Sequence, residues 1–113
     1  MRAIFFLSLL LPLTSSANTD HPQCDGIERW ATRMAYTKLV NQGFIDRGDS
    51  EYQQTKTTRI ASEKIGPDLY TQVHRIVFSN QSGEKVEVIT VNNASNEECS
   101  MSSVDVYLVS DKY

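Results

Sequence analysis

Few side chains in this 113-residue chain combine a reactive type with a usable spacing. The sequence has two cysteines, Cys24 and Cys99, and two histidines, His21 and His74. His21-x-x-Cys24 has the spacing of a metal-ligand pair, but the ligand form of cysteine is the thiolate. In an exported chain, two cysteines pair with each other instead, because the compartment is oxidising. A Cys24–Cys99 disulfide is therefore expected, and no metal or cofactor. Closing so long a loop is worth about 4 kcal/mol in the chain-entropy model.

The remaining candidates are weaker. Ser82-Gly83-Glu84-Lys85 has Ser-x-x-Lys spacing, but enzymes that use it set the pair on a helix, and here the glycine marks a hairpin. Arg47-Gly48-Asp49 resembles the tripeptide of integrin-binding proteins over three residues, in a stretch where Gly and Asp are ordinary turn formers. Asn80-Gln81-Ser82 and Asn93-Ala94-Ser95 are glycosylation-type triplets, which places surface loops at both positions. Glu97 and Glu98 adjoin Cys99 in a loop and form no pair held across a cleft. His74 sits in a strand pattern. Its enzymatic reading needs a pocket, with an acid or the Tyr70 and Tyr107 hydroxyls close by.

Export is read from the N-terminus. Arg2 is followed by an apolar run from Ala3 to Leu13 and a small-x-small end at Ser15 and Ala17. This is the pattern of a secretory signal peptide over residues 1–17, cut after Ala17. The run is shorter than the roughly 20 residues that span a bilayer, so no stable membrane anchor is expected. The mature chain of 96 residues (113 − 17) is one small domain, 18–113, with a formal charge of −4 (10 − 14). An acidic surface lacks the field that holds phosphate backbones, so nucleic acid is not an expected partner.

The elements that must position these residues follow from periodicity. Asp25 and Glu28 form a capping-box pattern ahead of a helix over 26–42. Ile27, Trp30, Ala31, Met34 and Ala35 lie on one face, and Gly43 is the stop. Trp30 and Met34 are its expected core contribution. A turn-rich loop spans 44–54. Strand patterns follow at 55–62, 69–79, 85–92 and 104–110, with turns at 66–68 and 80–84. The fold class is α+β: an N-terminal helix packed on a four-stranded antiparallel β-meander, stapled by one disulfide.

The function expected is that of an exported, periplasmic or secreted, non-enzymatic protein that binds another macromolecule. Its plan is similar to that of small inhibitors and immunity proteins. The binding candidates are Asp46, Arg47 and Asp49 in the 44–54 loop and Ser82 and Glu84 in the hairpin, because loops carry function on a framework committed to packing. The alternative is a small hydrolase or ligand-binding domain built around His74.

Overall fold

The computed structural model describes residues 21–47 and 54–113. The leader at 1–17 and Asp49 lie outside the described residues. The elements are α1 (Trp30–Asn41), β1 (Lys56–Gly66), β2 (Leu69–Ser79), β3 (Lys85–Ala94) and β4 (Asp105–Asp111). The strands pair antiparallel in the order β1-β2-β3-β4, a meander. The Cys24–Cys99 bridge is formed.

The helix begins later than its capping pattern suggests. The Arg29 amide donates to the Gly26 carbonyl at 3.0 Å, so 26–29 closes a turn of its own. Arg29 then occupies the N-cap with an extended backbone and no side-chain cap, and the Asp25–Glu28 box is not used. The stop is the expected one. Gly43 has φ +84°, the Phe44 amide donates to Leu39 O at 2.9 Å, and the Gly43 amide donates to Val40 O at 3.1 Å. This paired closure needs a left-handed residue at Gly43, and it brings Phe44 back beside Leu39.

That return builds the core. Ala35, Leu39, Ile45, Ile76, Phe78, Val86 and Val88 are buried together, with Tyr36, Val40, Phe44 and Val106 packed against them. Full burial of a side chain such as Phe78 stabilises by roughly 1.5–3 kcal/mol. Trp30 and Met34 are only half-buried, which corrects the expectation that they lead the core. The Trp30 indole N–H donates to the Ser102 carbonyl at 2.8 Å, so it fastens the helix entry to the loop before β4. The helix turns Ala31, Thr32, Ala35 and Leu39 inward instead.

The strands alternate strictly where both faces matter. In β2, Tyr70, Gln72, His74, Ile76 and Phe78 are buried; in β3, Val86, Val88, Thr90, Asn92 and Ala94 are. Helix α1 has 12 residues and β2 has 11. At 1.5 Å per helical residue and 3.3 Å per strand residue, these are about 18 Å and 36 Å long. One helix therefore covers about half of this face. The half toward Ile76 and Phe78 lies under α1. The half toward Tyr70 and Gln72 is covered by the segment 21–25 and the bridge. Asn93 belongs to β3, not to a surface loop, and its side-chain oxygen accepts from Thr71 Oγ1 at 2.9 Å.

Candidate functional site

Two places carry the chemistry. The first is the end of the fold where the chain leaving α1 meets the β2–β3 hairpin. Asn80 organises that hairpin. Its amide donates to Glu84 O at 2.9 Å, and its Oδ1 accepts from the Ser82 and Glu84 amides at 3.1 and 2.9 Å. The Ser82 hydroxyl also donates to Asn80 Oδ1, at 2.9 Å. Gly83, at φ +91°, supplies the left-handed turn. Asn80 Nδ2 then donates to Glu84 Oε1 at 3.1 Å and steers that carboxylate.

The facing segment is held by the helix stop. Ile45 is buried and Phe44 half-buried, which leaves Asp46 and Arg47 exposed. Between the two segments lies a cavity of about 80 Å³, lined by Phe44, Ile45, Phe78 and Val86, and by the polar residues Asp46, Asn80, Glu84 and Lys112. The Lys112 ammonium donates to the Phe44 carbonyl at 2.8 Å. The C-terminal tail is secured there by reciprocal backbone bonds between Lys85 and Tyr113, at 3.1 and 3.0 Å. Of the residues nominated from sequence, Asp46 and Glu84 come together. Arg47 does not line the cavity, and Ser82 is committed to its own turn. Lys112 and the apolar floor have no marker in the sequence as members of a site. The only signal for the floor was the apolar pair Phe44-Ile45 directly after the Gly43 stop.

An apolar floor under two carboxylates suits a long cationic side chain, whose methylenes bury while its charge stays at the mouth. The Lys112 amine shares this lining with Asp46 and Glu84 and is turned to the Phe44 carbonyl.

The second place is His74. It is 0 % exposed, on the inner sheet face, between Arg59 on β1 and Thr90 on β3. Burial pulls its pKa below the ordinary 6.5; the Asp25 charge opposes this and the Arg59 charge adds to it. Neither ring nitrogen has a hydrogen-bond partner among the described residues, and neither do Gln72 Oε1, Thr90 Oγ1 or Asn92 Oδ1. Tyr70 shares this buried face. Tyr107 does not: it pairs with Ile89 on the opposite face and is exposed. Of the partners the enzymatic reading calls for, Tyr107 is therefore on the wrong face, and the acid whose charge reaches the His74 ring is Asp25, in the segment 21–25.

The metal-like spacing also dissolves. His21 Nδ1 is hydrogen-bonded to Ser62 Oγ at 2.7 Å, and Cys24 is in the bridge. Among the described residues no helix is long and apolar enough to cross a membrane. Compared with protein-family models, with curated proteins and with solved structures, the chain matches none.

Proposed function

We propose that the protein is exported, cut after Ala17, and acts in the periplasm or outside the cell by binding another protein without catalysis, in the manner of a small inhibitor or immunity protein. The end of the fold bearing the 80–84 hairpin and residues 44–47 is the working surface. The observation that carries this reading is the convergence of Asp46 and Glu84 on one apolar-floored cavity. A basic side chain of the partner enters there, its stem over Phe78 and Val86 and its charge between the two carboxylates. Both acids are exposed and Glu84 is oriented by Asn80, so the surface is prearranged and its charge remains available.

The test uses the mature protein as bait on an envelope or secreted fraction, followed by binding to the purified partner. Asp46→Lys and Glu84→Lys should each weaken binding at least tenfold and leave the melting temperature nearly unchanged, because surface changes away from special features shift stability by only ~0.5 kcal/mol. Unchanged binding in both, with binding lost in a folded His74→Gln protein, would place the site at the other half of the sheet.

A further inference from the structure

The half of the inner face not covered by α1 carries a cluster of polar side chains, with Tyr70 and Ala94 at its far edge. Register sets Arg59, His74 and Thr90 side by side across β1, β2 and β3, and Ser62, Gln72 and Asn92 beside them. Gln72, His74, Thr90 and Asn92 are buried, yet between them they leave five polar atoms without a hydrogen-bond partner among the described residues. A permanently covered floor is better served by apolar or fully paired side chains. A floor that is uncovered in use regains its hydrogen bonds from solvent or a ligand.

The cover is a short strap, with Pro22 buried and the His21 ring 4.9 Å from that of Tyr70. Residues 21–25 are not a strand of the sheet. Polar side chains hold them: the Pro22 carbonyl accepts from Arg59 Nη1 at 2.8 Å and Gln72 Nε2 at 2.9 Å, and His21 bonds to Ser62. The covalent tie is the bridge. Cys24 is buried and Cys99 half-buried, and both line an open cavity of about 320 Å³ with His21, Arg29 and Glu97. The cavity opens beside the bridge, and Cys99 is the less buried of its two cysteines.

We infer that Cys24–Cys99 is a reducible latch, and that its opening releases the strap 21–25 and uncovers the polar floor of Arg59, Ser62, Gln72, His74, Thr90 and Asn92. The co-reactant is a dithiol. One of its thiolates attacks Cys99 Sγ, the S–S bond breaks, and Cys24 leaves as a thiolate and takes a proton. The second thiolate of the reductant then attacks its own mixed-disulfide sulfur, and Cys99 leaves and is protonated. Two electrons pass from the dithiol, which becomes a disulfide, to the two cysteines. This goes beyond the proposed binding, because the hairpin end lies at the opposite end of β2 and β3 from the strap.

The probe is dithiothreitol on the mature, bridged protein under native conditions. His74 accessibility is read by diethylpyrocarbonate modification with peptide mapping, which separates it from His21, and integrity by amide exchange at Ile76 and Val88. Reduction should raise His74 modification at least tenfold, shift its imidazole titration up toward 6.5 as burial is relieved, and leave Ile76 and Val88 protected. The Cys24→Ser, Cys99→Ser protein should behave as the reduced one. Reduction that abolishes Ile76 and Val88 protection would show a staple of the whole domain and overturn the latch. So would reduction with no change at His74, or a bridge that resists the dithiol in the native state.

Discussion

Two buried threonines invite the same substitution and are predicted to answer with opposite signs. Thr90 and Thr32 are both fully buried. Thr90 Oγ1 has no hydrogen-bond partner among the described residues. Thr32 Oγ1 bonds to Thr57 Oγ1 at 2.8 Å and donates to Gly26 O at 3.3 Å. A buried hydroxyl left unpaired carries a desolvation cost of about 1–3 kcal/mol. Thr90→Val removes that hydroxyl and puts a methyl in its place, on a strand where both residues are favoured. Stability should rise by about 1 kcal/mol, which in a domain of this size is a melting shift of about 4–8 °C. Thr32→Val removes a bonded hydroxyl and leaves Thr57 Oγ1 short of a partner, so it should cost about 1–3 kcal/mol. Urea denaturation is the assay: the midpoints should move apart with the slope unchanged. A loss of about 1 kcal/mol or more in Thr90→Val would show that the hydroxyl is satisfied in solution and that its burial carries no such cost. The gain also has a meaning for the latch, because Thr90→Val favours the covered state of the floor.

The other predictions concern charge, anchoring and export. Burial holds His74 neutral in the folded protein, while the unfolded chain takes up its proton near the ordinary 6.5. Stability should be level above that pH and fall as pH drops from about 6.5 toward 5, by at most about 1.4 kcal/mol per unit. His74→Gln should flatten the slope in that window, and an unchanged slope would mean that the imidazole is not held neutral. Trp30→Phe keeps most of the ring and loses the bond to Ser102, so chemical denaturation should show a loss of about 1 kcal/mol; no loss would remove Trp30 as the helix anchor. Intact mass of the exported protein should begin at Asn18, and a product retaining Phe5 to Leu11 would contradict cleavage at Ala17.

Strand order and helix stop were legible because each has a local cause. Val86, Val88 and Thr90 alternate with Glu87 and Ile89, and Gly43 ends a helix that a residue with a side chain would carry on or strain. The helix start was not legible, because Asp25 and Glu28 are a sound capping pair locally. The Gly26–Arg29 turn, next to a cysteine fixed by a bridge 75 residues long in sequence separation, overrides them. The polar half of the core was hidden for a related reason. β2 and β3 offer valines on one face (Val73, Val77, Val91) and Gln72, His74 and Asn92 on the other, and it is the polar row that is buried. Alternation gives two faces but not which one is covered. Here the cover at that end is a strap that no periodicity announces. At the candidate site, Glu84 and Asp46 were legible as loop acids, while their meeting depended on the Phe44-Ile45 return and on the C-terminal Lys112, both set by tertiary packing.

The hairpin end is the surface proposed to meet a partner. Hydrogen exchange of the mature protein alone and in complex with the purified captured partner addresses this directly. Residues 44–47 and 80–84 should gain protection in the complex, with the strap 21–25 unchanged while the bridge is intact. Protection confined to the outer sheet face around Val73, Ile89 and Tyr107, with exchange at 44–47 and 80–84 unaltered, would contradict it.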